Sequence, residues 1–213
     1  MVKLSLLVFA GLQLPTGLAA QNLGAWDVST QVMHSVKASI PNEVFGGQTV
    51  GISQTALSVR ASTDLIRIGR TRLRYSAQLL PVVALSNVER YSKLDGDRGP
   101  LYVLSDSARA YGIGFVPVGI DIAVDVMRRA RLQIGTGAGI MWFTQNVPVA
   151  AARQRNFTVE WDAALLLNAG KNRWVQVGMR WKHISNGLTA WENPGIDNRM
   201  LFAGMSWRFH APR

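Results

Sequence analysis

The sequence predicts an all-β fold, an eight-stranded antiparallel transmembrane β-barrel of the outer-membrane type. From Trp26 onward, apolar and polar residues alternate with period two in one segment after another, which indicates strands with one apolar and one polar face. The segments number about eight, and bacterial outer-membrane barrels have an even number of strands. The connections between them alternate between long and short, as extracellular loops and periplasmic turns do in such barrels.

The composition is that of one folded domain. The chain has 213 residues, of which 48% are hydrophobic and only 17% are charged. The absence of cysteine excludes disulfide scaffolds, thiolate metal sites and cysteine nucleophiles. The net charge of +10 indicates an anionic partner. Because the basic residues are scattered and form no DNA-binding motif, we expect an anionic membrane surface and no nucleic acid.

The first twenty residues predict an export signal peptide. Lys3 gives a positive start, residues 4–14 are mostly apolar, and residues 17–20 are small enough for cleavage after Ala19 or Ala20. Residues 21–213 are then predicted to form a single β-barrel domain. The longest later stretch without charge, residues 132–152, is too polar and too rich in glycine for a transmembrane helix. The mature chain is therefore either soluble or spans a membrane with strands.

The predicted strands differ in how strictly they alternate. Alternation is strict in four segments, at residues 26–33, 71–79, 157–165 and 201–209. Four weaker strands are predicted at residues 55–66, 111–124, 132–143 and 173–185. The segment 111–124 loses its phase near Pro117, which indicates a β-bulge.

The predicted connections give the barrel its two ends. Short turns are expected around Gly69-Arg70, at Met127-Arg128 and at residues 168–172. Long loops are expected at residues 39–52, 86–107, 144–155 and 186–198. If the N-terminus is periplasmic, odd-numbered strands run outward, and the seventh strand ends at the outer surface.

A soluble, lipocalin-like barrel is the structural alternative, because period two alone does not tell which face points inward. In a membrane barrel, charged residues of the polar face would neutralise one another in the lumen. These residues are Arg72, Arg74, Glu160, Asp162, Arg180 and Lys182. Tryptophans near strand ends, and Phe209 closing the last strand, favour the membrane barrel. The tryptophans are Trp26, Trp142, Trp161, Trp174, Trp181 and Trp207.

A candidate catalytic pair lies at the end of the seventh strand. His183 and Ser185 continue the phase of its apolar residues, so both are predicted to point outward, towards lipid. Side chains at positions i and i+2 of a strand lie on one face. An imidazole there can take the proton of a serine hydroxyl, which is otherwise a weak nucleophile. At the outer-leaflet head-group boundary, such a serine could reach the ester linkages of a membrane lipid.

The following loop offers the remaining groups of a hydrolytic site. A triad needs a carboxylate to orient the histidine, and the candidates are Glu192 and Asp197. Asn186 and Asn193 carry amide donors suited to an oxyanion hole.

These residues resemble a known family. The run 183–186, followed by the run 193–197 and a closing strand, is similar to the outer-membrane lipid A 3-O-deacylases, often described as acyloxyacyl hydrolase-like. The resemblance implies an eight-stranded barrel with a His-x-Ser pair and an acid in the next loop, which cuts the ester-linked 3-position acyl chain of lipid A. It also implies an outer-membrane location, an active site on the outer-leaflet side, and chemistry without a metal or cofactor.

The resemblance assigns roles by position. The pair is His183 and Ser185, and the acid falls on Asp197. Asn193 matches the oxyanion-hole amide, with Asn186 as a supporting neighbour. Because the best-known members carry glutamate at the acid position, Glu192 remains a reserve candidate.

We therefore expect an outer-membrane serine esterase that remodels lipopolysaccharide, acting as a monomer or homodimer. Two alternatives remain open. One is a non-catalytic small barrel with an adhesive or structural role, and the other is a lipase or acyltransferase acting on phospholipid.

Overall fold

The protein forms a closed antiparallel β-barrel in which each strand pairs with the next and β1 pairs with β8. The computed structural model describes residues 25–37, 39, 47–96 and 99–210, so the predicted signal peptide lies outside the described residues. The strands are β1 (Ala25–Lys37), β2 (Ser53–Ile68), β3 (Thr71–Gly96), β4 (Gly99–Met127), β5 (Ala130–Val147), β6 (Arg153–Gly170), β7 (Arg173–Ser185) and β8 (Ile196–His210). Within the described ranges, no helix is long and apolar enough to cross a bilayer.

The predicted strands and short turns are confirmed. The seventh predicted strand coincides with β7, and only two residues separate β2 from β3, β4 from β5 and β6 from β7. The pairing register shifts between Phe115 and Val118, which confirms the bulge predicted near Pro117. These three turns lie at one end of the barrel, and β7 runs from that end towards the end with the longer connections.

The predicted long loop at residues 86–107 is wrong. β3 continues to Gly96, β4 begins at Gly99, and the two remain paired from Arg90↔Ser105 to the tip of a long hairpin. Residues such as Asp95 and Gly96, which favour turns, lie at that tip. Pairing with β4 satisfies the backbone groups of the extension, which an unpaired loop would leave to water.

The lumen is filled by charged and polar side chains that neutralise one another, as predicted. Arg60 forms ion pairs with Asp121 and with Asp162, the latter at 2.8 Å. Asp162 also pairs with Arg180 at 3.1 Å. Nearer the long-loop end, other buried ion pairs continue this network, including the Lys182–Glu160 pair described below. Towards the opposite end, Arg72 pairs with Asp125 at 2.6 Å, and Arg74 pairs with Asp27 and Asp64.

The outer surface is apolar, which excludes the lipocalin-like alternative. A soluble barrel would bury its apolar face and expose its charges, whereas here the large aliphatic residues point outward and the ion pairs lie inside. Outward residues more than half exposed include Val32, Val82, Ile113, Val118, Ile122, Ile134, Met179 and Leu201. The exposed belt is the surface expected of strands that face hydrocarbon.

The tryptophans do not all belong to an outer girdle. Trp161 and Trp181 are cross-strand partners on the outer face, and the Arg199 guanidinium lies 4.7 Å from the centre of the Trp181 ring. Trp174 instead takes the lumen-facing phase of β7, and the Arg131 guanidinium lies 4.6 Å from its ring centre. The prediction of Trp174 as a girdle residue is therefore wrong, because a cation inside the barrel provides a partner for its ring.

Asp162→Asn is expected to lower the free energy of unfolding by about 3 kcal/mol or more, because it removes the charged carboxylate that two buried arginines share. Asp162 is 5% exposed and bonds to both Arg60 and Arg180. The measurement is urea unfolding of the folded barrel in lipid vesicles. Glu192→Gln, which removes an exposed charge from a loop, is the matched control; equal unfolding midpoints for the two variants would show that the lumen ion pairs do not stabilise the barrel.

Candidate active site

Contacts on the lumen side hold the part of β7 that carries the candidate pair. Lys182, which faces inward, bonds to Glu160 at 2.6 Å, and the Thr158 hydroxyl donates to the carbonyl of His183 at 2.9 Å. The side chains of His183 and Ser185 consequently take the outward phase, where both are partly exposed. Their predicted orientation on the outer face is confirmed by this alternation.

The structure brings Asp197 to His183. The two residues lie directly opposite each other in the register of β7 and β8. Nδ1 of His183 and Oδ1 of Asp197 are 2.7 Å apart, and their side chains are 14% and 2% exposed. A carboxylate on Nδ1 fixes the ring plane and leaves Nε2 on the edge that a histidine base presents to a serine.

The backbone of Gly47, in the loop between β1 and β2, covers the Asp197 carboxylate. Its N–H donates to Oδ2 of Asp197 at 3.1 Å. A Cβ at Gly47 would lie 2.5 Å from the same oxygen, so the close approach requires glycine. The sequence analysis missed this residue, and the pair Gly46-Gly47 in a long loop was its only signal.

The same loop is attached to the segment that precedes β8. The N–H of Gln48 donates to the carbonyl of Pro194 at 2.5 Å, and the Thr49 hydroxyl donates to the carbonyl of Gly195 at 2.7 Å. These two hydrogen bonds hold the β1–β2 loop over the Asp197 carboxylate.

The two predicted oxyanion residues contact each other. The N–H of Asn186 donates to Oδ1 of Asn193 at 2.8 Å, so the donor end of the Asn193 amide, Nδ2, is turned away from this bond. Nδ2 of Asn186 donates to the carbonyl of Glu192 at 2.7 Å, and Asn186 is fully buried. Asn186 therefore braces the loop from within.

Glu192 lies in the loop with an exposed side chain. Among the described contacts, its backbone carbonyl serves Asn186, whereas the bond to the His183 ring comes from Asp197. Of the two acids that the sequence left open, Asp197 is the one that bonds to the His183 ring in the structure.

An apolar groove runs down the outer face below the pair. It encloses about 620 Å³ and is lined by β1, β7 and β8, with Val32, Val177, Met179, Leu201 and Ala203 among its walls. Met179 lies two positions below Trp181 and four below His183 on the same face of β7. A chain leaving the pair towards the short-turn end would enter this groove, hereafter the apolar groove.

No group of three or more histidine, aspartate or glutamate side chains that could hold a metal ion occurs within the part of the chain described.

The fold and this site define a small barrel of the outer-membrane type that carries, on its outer face, a serine beside a paired histidine and aspartate. The sequence model of the family described as Lipid A 3-O-deacylase (PagL) matches residues 72–206. The chain belongs to this family, which confirms the resemblance noted in the sequence. The matched region includes His183, Ser185 and Asp197, whereas Gly47 lies before it. Membership supports an outer-membrane location.

Solved structures of the same architecture are similar to the chain over most of its length. The outer-membrane enzyme PagL shares 16% identity, with a TM-score of 0.50 over 88% of this chain and 99% of that chain. Neisserial surface protein A (NspA) shares 14% identity, with a TM-score of 0.48 over 87% and 99%. The attachment invasion locus protein Ail of Yersinia pestis shares 10% identity, with a TM-score of 0.45 over 87% and 99%. No curated protein sequence matches the chain.

Proposed function

We propose that the protein is an outer-membrane serine esterase that hydrolyses the ester-linked 3-position acyl chain of lipid A. The observation that carries the proposal is the 2.7 Å bond between His183 and Asp197, on the face that Ser185 shares. Membership of the lipid A 3-O-deacylase family supports the substrate.

In the proposed reaction, the Ser185 hydroxyl attacks the ester carbonyl carbon while Nε2 of His183 takes its proton. The tetrahedral intermediate collapses when His183 returns that proton to the leaving 3-oxygen of the sugar, and the acyl group stays on Ser185. Water, deprotonated by His183, then attacks the acyl-enzyme, and His183 returns that proton to Oγ of Ser185 as the fatty acid leaves. Asp197 orients the ring and stabilises its cationic form in both steps.

Asn193 is the proposed oxyanion donor. Its Oδ1 is held by the N–H of Asn186, which fixes the direction of Nδ2. A donor aimed in advance at the developing oxyanion stabilises the transition state without further reorganisation. Asn186 supports it by bracing the loop.

The apolar groove is the proposed site of the acyl chain. Its lining is apolar except for His34, and it lies on the lipid-facing surface below the pair. A chain lying there stays in hydrocarbon, so the ester reaches Ser185 without extraction of the lipid from the membrane.

The active site is proposed to face the outer leaflet. Short turns are periplasmic and longer connections extracellular in bacterial barrels, and Ser185 is the last residue of β7, at the end with the longer connections. The lipid A molecules of the outer leaflet would then be within reach.

The test is mass spectrometry of lipids from bacteria that express the protein, compared with cells that do not. Loss of one ester-linked hydroxyacyl chain from lipid A is the expected result. Unchanged lipids would favour a non-catalytic adhesive or structural barrel, and altered phospholipid with intact lipid A would favour a phospholipid-directed lipase or acyltransferase.

Gly47→Ala is expected to lower kcat for lipid A deacylation by about tenfold, since the added methyl group displaces the Asp197 carboxylate and one charge-assisted hydrogen bond is lost. Activity is measured on purified protein in detergent micelles. Val50→Ala, at an exposed position of the same loop, is the control. Full activity of Gly47→Ala with an intact barrel would mean that the loop does not position the acid.

A further inference from the structure

A second cleft lies on the outer face, on the other side of Ser185 from the apolar groove. It encloses about 410 Å³ at the long-loop end of β5 and β6. Its walls combine exposed aromatic rings with two guanidinium groups. The lining includes Ile140, Trp142, Arg153, Arg155, Phe157 and Thr189, and this depression is hereafter called the arginine cleft.

The arginine cleft adjoins the candidate nucleophile. Phe157 lines it and lies directly opposite Ser185 in the register of β6 and β7. Opposed residues on one face have Cβ atoms about 4.5–5.5 Å apart. Arg155 and Arg153 follow on the same face as Phe157, each two residues further towards the long-loop end. Both guanidinium groups thus lie on the exterior side of Ser185, where a lipid head group would be.

The turn after Ser185 holds one of these arginines in place. Nε of Arg153 donates to the carbonyl of Thr189 at 3.2 Å, and the Thr189 hydroxyl donates to the carbonyl of Asn186 at 2.7 Å. The position of Arg153 is therefore linked through two hydrogen bonds to the residue next to the nucleophile.

The electrostatics of the cleft favour an anion. Of the described residues that line it, none is acidic. Neither Arg153 nor Arg155 forms a salt bridge with any carboxylate in the described part of the chain, whereas the lumen arginines are paired. Two guanidinium groups two residues apart suit the oxygens of a phosphate, and the Trp142 and Phe157 rings offer flat apolar surfaces to a sugar.

We infer that Arg153 and Arg155 form a subsite for a phosphate group on the sugar head group of the substrate, a phosphorylated and acylated glycolipid. The inference rests on the proposed function. With the phosphate in the arginine cleft and the acyl chain in the apolar groove, the ester between them lies at Ser185. The subsite would therefore set which acyl ester of the head group is presented to the nucleophile.

Binding by a Ser185→Ala variant tests the subsite separately from catalysis. The full chain in lipid nanodiscs is titrated with lipid A and with lipid A from which the phosphates have been removed. In this background, Arg153→Gln with Arg155→Gln is expected to weaken binding of phosphorylated lipid A by at least about tenfold and to leave binding of the dephosphorylated form unchanged. The matched control is Arg128→Gln with Arg129→Gln, two exposed arginines in the turn at the opposite end.

Three results would overturn the inference. The first is an equal loss of binding to phosphorylated and dephosphorylated lipid A in the Arg153/Arg155 variant, and the second is the same loss in the control variant. The third is an equal loss of phosphatidylglycerol binding, which would indicate an unselective phosphate site. Deacylation by the wild type is measured in parallel. If the wild type deacylates lipid A but binding of lipid A does not depend on Arg153 and Arg155, the subsite alone is refuted. If the wild type is inactive but binding depends on the phosphates, the proposed function alone is refuted.

Discussion

Replacing Ser185 with alanine is expected to lower kcat/KM for lipid A deacylation by about 10⁴-fold or more, because the covalent route through an acyl-enzyme is lost. KM should change little, since the proposed sites of the acyl chain and head group lie elsewhere on the outer face. The measurement is release of free 3-hydroxy fatty acid by the purified protein in mixed micelles.

Two comparisons make this result specific. Ser53→Ala removes an outward serine at the corresponding end of β2 and should leave activity unchanged. His183→Ala should cost about as much as Ser185→Ala, and the double variant should be no worse, since residues that act as one unit are not additive. Substantial activity in Ser185→Ala would mean that His183 activates water directly and that no acyl-enzyme forms.

The barrel was predictable from sequence because two different surroundings act on the two faces of each strand. Hydrocarbon outside and a packed charged lumen inside impose period two, so the bounds of β7 could be read directly. The same alternation placed Lys182 in the lumen and Ser185 on the outside. The hairpin that carries β3 to Gly96 was not predictable, because turn residues at its tip resemble those of an unpaired loop.

The candidate site was predictable only as far as one strand determines it. His183 and Ser185 share a strand face, so their proximity follows from local geometry. The choice between Asp197 and Glu192 depends on the register between β7 and β8, which the loop length alone does not set. Gly47 and Arg153 come from connections and strands distant in sequence, and no local pattern links either residue to the serine.

Contacts in the lumen hold the strand that carries the candidate site. Thr158, Glu160 and Lys182 hold the backbone of β7 from inside while the reactive groups face out. Groups on a braced strand are held more accurately than groups on a loop, and the Asp197 carboxylate receives further support from a loop. The β1–β2 loop supplies this support through Gly47.

The structure places the Asp197 carboxylate on the His183 ring, and Asp197→Asn tests the proposal that Asp197 is the catalytic acid. The expected loss in kcat is about 10³- to 10⁴-fold, because an amide keeps the shape but no longer stabilises the imidazolium or the required tautomer. Activity is measured as fatty acid release, and circular dichroism checks that the barrel remains folded.

Glu192→Gln is the matched control for this acid, since it makes the same chemical change at an exposed carboxylate in the preceding loop. It should retain full activity, because the His183 ring already bonds to Asp197 at 2.7 Å under the cover of Gly47. Asp197→Glu should be impaired but active: its longer side chain keeps the charge yet must fit beneath the same backbone. If Glu192→Gln alone were inactive, the exposed acid would have to move onto the ring during catalysis, and the Asp197 bond would be structural.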